Sequence, residues 1–268
     1  MEIRLVVFLV VFAVMAVLEL LIPKRPRAVS KSRRWVSNIS LVILNTICLK
    51  FLFPAGSVGF SLFASEKGWG LLNQSFVGSF FEQFMSGRAI DISIFIFGVV
   101  LLDMAIYWQH LLFHKVPILW RLLRVHHADL DLDVTSGTRF HIIEMVLSMG
   151  IKWMIVVCLG LPVLSVIVFE IILNGMAMFN HSNVRFNIGL DRFLRLFVVT
   201  PDMHRIHHSV KRKEADSNYG FNLSIWDRVF GSYTENAEGG DGKLVLGEPS
   251  SFGVKRQSVF WMLGYPFR

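Results

Sequence analysis

Residues 89–114 read AIDISIFIFGVVLLDMAIYWQHLLFH, an apolar run with Asp103 in its interior and two histidines, His110 and His114, at its end. A helix of about 20 mainly apolar residues crosses a bilayer, so this stretch predicts a membrane span that delivers two imidazoles to one membrane face. Asp103, Tyr107, His110 and His114 stand at i, i+4, i+7 and i+11 and share one helical stripe. That spacing places a carboxylate and a phenol deeper in the membrane, where they can orient the imidazoles. An ionisable residue within a span is costly and normally has a functional partner, a property that proton relays and cation pathways share.

Working outward, four more segments have the length and apolar character of spans: 5–22, 36–63, 142–161 and 162–179. The segment 36–63 exceeds the length needed and contains Lys50, Pro54 and Gly56, so a bend or a run partly along the interface is expected there. The last two segments meet at Gly160, Leu161 and Pro162, which predicts a tight turn. Residues 65–88 read as an external or partly re-entrant connection. With 53% hydrophobic and 18% charged residues, the chain has too much apolar surface for a soluble domain, and an all-α, polytopic membrane bundle is expected.

Of the 27 basic residues, Lys24, Arg25, Arg27, Lys31, Arg33 and Arg34 cluster between the first two spans. This is a topology signal rather than a nucleic-acid surface. It puts that loop in the cytoplasm, the N-terminus outside and, by parity, 115–139 and 182–268 inside. The expected architecture is thus a membrane bundle with a cytoplasmic, helical, histidine-rich cap. Three regions are read: N-terminal spans with their connection (1–88), a catalytic region (89–235) and a C-terminal cytoplasmic tail (236–268). The segment after the last span, 182–268, is expected to begin as helix, to turn Gly- and acid-rich over 236–242, and to end in an aromatic stretch, 259–267, at the membrane surface.

All nine histidines, His110, His114, His126, His127, His141, His181, His204, His207 and His208, fall between residues 110 and 208. The topology brings every one to the same layer. H-x-x-H-H at His204–His208 presents three ring nitrogens from little more than one turn, enough for one helix to bridge two metals. Asn174 precedes His181 by seven residues and can add a polar contact. The only two cysteines, Cys48 and Cys158, lie in apolar runs, so a thiolate site and a disulfide framework are both excluded. Imidazoles without thiolates suit zinc, copper, iron or nickel. Their number exceeds the four ligands of a closed zinc site and suggests two metals.

The ordered set H-x-x-x-H (His110, His114), V-H-H (Val125 to His127), R-F-H (Arg139 to His141), N-H-S-N (Asn180 to Asn183), T-P-D-M-H-R-I-H-H (Thr200 to His208), D-S-N-Y-G (Asp216 to Gly220) and W-D-R-V-F-G-S-Y (Trp226 to Tyr233) resembles the fatty acid hydroxylase/sterol desaturase superfamily. The resemblance implies a non-haem di-iron centre, with zinc an alternative occupant after purification, that uses dioxygen to hydroxylate or desaturate a lipid. It further implies a lipid substrate, a membrane setting and an external electron donor, because no dinucleotide fingerprint, haem motif or cluster motif is present. The implied ligands are the nine histidines, with Asn218, Tyr219, Trp226, Asp227 and Arg228 in supporting roles. Lys211, Arg212 and Lys213 suit either an acidic redox carrier or a lipid-headgroup face. The family's second box normally has a histidine where this chain has Leu123, so one metal position is expected to be under-liganded. A transport-related or non-catalytic metal-binding membrane protein is the alternative, although transporters place ligands at mid-membrane. H-E-x-x-H, the mark of a zinc hydrolase, does not occur.

Overall fold

The structure is a computed structural model and describes residues 2–73, 84, 86–251 and 257–268. No β-strand forms among the described residues, and the chain is all-helical. The spans are α1 (Glu2–Leu21), α2 (Lys31–Leu52) continued by α3 (Gly56–Glu66), α4 (Gly87–Lys115), α6 (Ile142–Leu159) and α7 (Val163–Asn180). They give five helices or helix pairs long and apolar enough to cross a membrane. Between α4 and α6 lies α5 (Pro117–His127), and after α7 come the short helices α8 (Ile188–Leu194), α9 (Pro201–His207), α10 (Arg212–Ala215), α11 (Ile225–Val229) and, near the C-terminus, α12 (Val259–Gly264).

The outward faces explain the composition. Leu5, Leu9, Val10, Val14 and Val17 of α1 are each more than half exposed, a pattern stable only against lipid. The expected bend falls at Pro54, which has no backbone N–H to continue α2. There Phe53 ends one helix and Gly56, at φ +57°, opens the next. The expected turn at 160–162 is made by Gly160 at φ +66° as the cap of α6. Instead of lying side by side throughout, α6 and α7 both pack against α3. The core joins Leu102 and Ile106 of α4, Val156 of α6 and Val166 and Phe169 of α7 to Phe221. Of the connection 65–88, residues 74–83 and 85 lie outside the described residues.

Two buried charge clusters fasten the first two helices to the loop after α5. Glu19 accepts from Val134 N (2.7 Å) and Asn183 N (3.0 Å). Arg34 donates to Asp129 through Nε (2.8 Å) and Nη2 (2.7 Å), and to Asp133 through Nη1 (2.6 Å). A buried guanidinium is tolerable only with this degree of pairing. Arg34 thereby sits at the same end of the bundle as the histidines.

The segment after the last span departs from its expected helical start. Residues after α7 run irregularly and bridge back to the first loop, Lys24 N donating to Asn183 O and Arg185 N to Ile22 O. The aromatic C-terminal stretch buries Met262 and Tyr265 against Leu41, Val125 and Ala128. Arg121 Nε donates to Pro266 O (2.8 Å) and Arg124 Nη2 to Arg268 O (2.8 Å), so the end of the chain is strapped onto α5.

Candidate metal centre

Eight histidines converge from four places: His110 and His114 on the last turns of α4, His126 and His127 at the end of α5, His181 capping α7, and His204, His207 and His208 on α9 and its cap. Thr200 begins α9 by accepting from Met203 N, and Pro201 fills the first helical position, where a missing N–H costs nothing. The imidazoles sort into two buried groups, His110, His114, His127 and His207 in one, and His126, His181, His204 and His208 in the other. Within each, the ligand atoms lie within 4.8 Å of one another. Chain neighbours therefore divide between groups, His126 from His127 and His207 from His208. Consecutive helical residues project about 100° apart, as 3.6 residues per turn requires, and the paired rings stand at 86° to each other.

Three backbone carbonyls orient the rings. His110 Nδ1 donates to Tyr219 O (2.8 Å), His207 Nδ1 to Ser217 O (2.7 Å) and His181 Nδ1 to Ala177 O (2.7 Å). A carbonyl can only accept, so in the neutral rings these Nδ1 atoms hold the proton and each Nε2 is a bare lone pair. His110 Nε2 and His207 Nε2 nevertheless face each other at 3.1 Å. Two lone pairs at that distance repel unless a cation lies between them. Nitrogens about 2.0–2.1 Å from one tetrahedral metal have a comparable spacing. His126 and His204 likewise place their Nε2 atoms 3.0 Å from His181 Nε2. The donor set therefore fits two metal ions.

Electrostatics favours the ligating form. Burial, reinforced by neighbouring imidazoles, holds His126, His127, His204 and His208 well below the usual histidine range, and burial does the same for His207. His181 is lowered to about 4, again mainly by burial. Neutral imidazole binds metal without first losing a proton.

Asn218, at φ +52°, lets the carbonyls on either side of it reach His207 and His110. Its side chain fixes that left-handed turn by donating to Met203 O (3.1 Å) and Thr234 O (2.9 Å) and accepting from Thr234 N (2.8 Å). Asp227 holds the next residues by accepting from Tyr219 N (2.7 Å) and Gly220 N (2.8 Å).

Asp103 and Tyr107, expected to orient the α4 imidazoles, make their side-chain hydrogen bonds to the segment 216–233. Asp103 Oδ2 accepts from Trp226 Nε1 (2.8 Å) and Leu223 N (3.1 Å), and the Tyr107 hydroxyl meets Ser232 Oγ (2.8 Å). Both brace the 216–233 segment, which in turn orients the rings. His141, expected as a ligand, is corrected. It caps the start of α6, its Nδ1 accepting from Ile143 N and its Nε2 lying 3.3 Å from Leu263 O, and it joins neither group. The shortfall expected at Leu123 is not seen either. Each group has four imidazoles, and Leu123 packs with Phe113 and Leu122.

A cavity of about 540 Å³ runs from these histidines into the bundle. His110, His126, Phe113, Leu123, Phe140 and Phe221 line it, with Asn174 on its α7 wall. Sequence reasoning missed the three carbonyls, which have no side-chain signature, and the largely apolar chamber, assembled from six helices.

The family model described as fatty acid hydroxylase matches residues 95–232. The ornithine lipid hydroxylase OlsE of Rhizobium tropici is 31% identical over 138 residues, 52% of this chain and 41% of that protein. Human alkylglycerol monooxygenase is 32% identical over 147 residues, 54% and 31% of the two chains. Human cholesterol 25-hydroxylase is 27% identical over 143 residues, 51% and 50%. The matched region is thus half or less of each relative's length. No solved structure matches the chain.

Proposed function

Because the chain belongs to the fatty acid hydroxylase family, we propose that it is a membrane-bound lipid hydroxylase that holds two iron ions, one in each of its two groups of four histidines. One observation carries the reading: bare imidazole lone pairs face one another beside a largely apolar chamber of about 540 Å³. The relatives, an ornithine lipid hydroxylase, an alkylglycerol monooxygenase and a cholesterol 25-hydroxylase, agree with it.

His110, His114, His127 and His207 would hold one ion and His126, His181, His204 and His208 the other. The bound metals would supply dioxygen activation. The chain itself does the rest. Phe113, Leu123, Phe140 and Phe221 exclude water and grip the chain to be oxidised, while Tyr219 O, Ser217 O and Ala177 O keep three rings aimed. Residues 89–235 are read as the catalytic region, steadied by 1–88 and 236–268. Electrons come from a separate donor. The metal layer is read as cytoplasmic because the basic Lys24–Arg34 loop shares its end of the bundle.

The test is lipid mass spectrometry of cells with and without the gene under labelled dioxygen, with metal analysis of purified protein. A lipid gaining one labelled oxygen and two irons per chain are expected. Zinc-loaded protein from cells whose lipids are unchanged overturns the reading.

A further inference from the structure

The chamber is not uniformly apolar. From α6 it receives Glu144, Ser148 and Lys152, spaced one turn apart on a single stripe, from α7 Glu170, and from α4 Gln109. Glu170 is satisfied from two sides, accepting from Lys152 Nζ (3.2 Å) and from Arg4. Glu144 is different. It is 95% buried, its Oε2 has no hydrogen-bond partner, and Lys152 stands two turns away, about 12 Å along the helix axis. Gln109 donates through Nε2 to Ser148 Oγ (3.0 Å), one turn from Glu144, and leaves its own buried Oε1 unpartnered. Glu144 and Gln109 both belong to the chamber's lining and each carries one buried oxygen without a partner, and Gln109 is the immediate chain neighbour of His110.

A buried acceptor without a donor costs about 1–3 kcal/mol, a cost that an N–H or O–H group brought in by a ligand removes. We propose that Glu144 and Gln109 form a polar anchor for an N–H or O–H group on the lipid, so that the substrate is an amphiphile carrying an amine or hydroxyl close to the carbon presented to the histidines. This rests on the chamber being the substrate site. A plain hydrocarbon or sterol ring would leave both oxygens unpaired. Discrimination then follows from the penalty on analogues that lack the donor.

The experiment uses full-length protein in phosphatidylcholine nanodiscs and measures saturable binding of four radiolabelled probes: dodecylamine, 1-dodecanol and their methyl-capped counterparts, dodecyltrimethylammonium and 1-methoxydodecane. At least one uncapped probe should bind about 10- to 100-fold more tightly than its capped partner, the range for a hydrogen bond to a charged group. Glu144→Leu should erase that preference and Gln109→Leu should reduce it. Glu144→Gln tells the two sources apart: loss of the preference marks an ammonium, and its retention marks a hydroxyl. Equal binding of capped and uncapped probes by the natural protein overturns the proposal. So does an undiminished preference in Glu144→Leu or, if that variant fails to fold, in Gln109→Leu. Because binding is read without turnover, a failure of the oxygenase reading would leave the probe preference intact and be recognised as such.

Discussion

Gly137 lies directly beneath the Ala177 carbonyl, so close that a Cβ on it would stand 2.1 Å from that oxygen. The same oxygen accepts from His181 Nδ1, so this glycine sets how near the 136–138 turn approaches a ring of the second histidine group. Gly137→Ala should push the carbonyl aside and untether His181. Loss of an orienting partner typically weakens metal affinity or activity about 10–100-fold. Metal per chain after mild chelation should fall in the variant while membrane insertion is unchanged, and an unaltered metal content would remove Ala177 O from the site's support.

Removing His207 or His208 should have separable effects, because the structure assigns these neighbours to different groups. Each alanine variant should lose most of its activity and about one metal per chain, and the double variant both. His141→Ala should retain both metals. Its cost should be that of a lost helix cap, about 0.5–2 kcal/mol, read as a lower Tm. Metal analysis of the four proteins, prepared identically, checks all of this.

Asp129 gives the acid limb of stability. Burial alone would raise its pKa, but Arg34 and Arg139 outweigh burial and bring it from 3.8 to about 2. A carboxyl depressed in the folded state contributes stability above its unfolded pKa of 3.8 and loses it as pH falls towards 2. Asp129→Asn should destabilise at neutral pH by about 3–5 kcal/mol, the cost of leaving a buried partner uncompensated. It should also flatten the Tm profile across that acid window. A profile parallel to that of the natural protein would contradict the assignment.

Ser30 and Lys213 are both exposed near the histidine end of the chain's fold. Single cysteines at these positions, in a background without Cys48 and Cys158, should be labelled from the same side of the membrane, the cytoplasmic one. Labelling from opposite sides would sink the five-span topology.

Much of this was legible in the chain itself. Hydropathy marks the five spans because lipid demands long apolar helices whatever their packing, and Pro54 announces its bend. Histidine spacing within α4 and α9 brings rings onto a common face. Spacing does not say which neighbour the face meets, and Asp103 shows the limit: it shares the stripe of His110 but meets Trp226, from a segment 123 residues away. His141 is in the right layer and turned to its own helix start. Leu123 reads as a missing ligand only while each group is counted from its local box. His181, contributed by a distant helix end, brings the second group to four. Glu144 carries no motif, and its significance lies in an oxygen without a partner, which only three dimensions disclose.

The family model's match begins at residue 95, yet the loop that follows His126 and His127 is folded onto Glu19 and Arg34. Grafting the matched region alone into another membrane scaffold would carry all eight clustered histidines and leave behind the carboxylate and guanidinium that hold this loop in place. The transplant would own every ligand and lack the vice that keeps them registered.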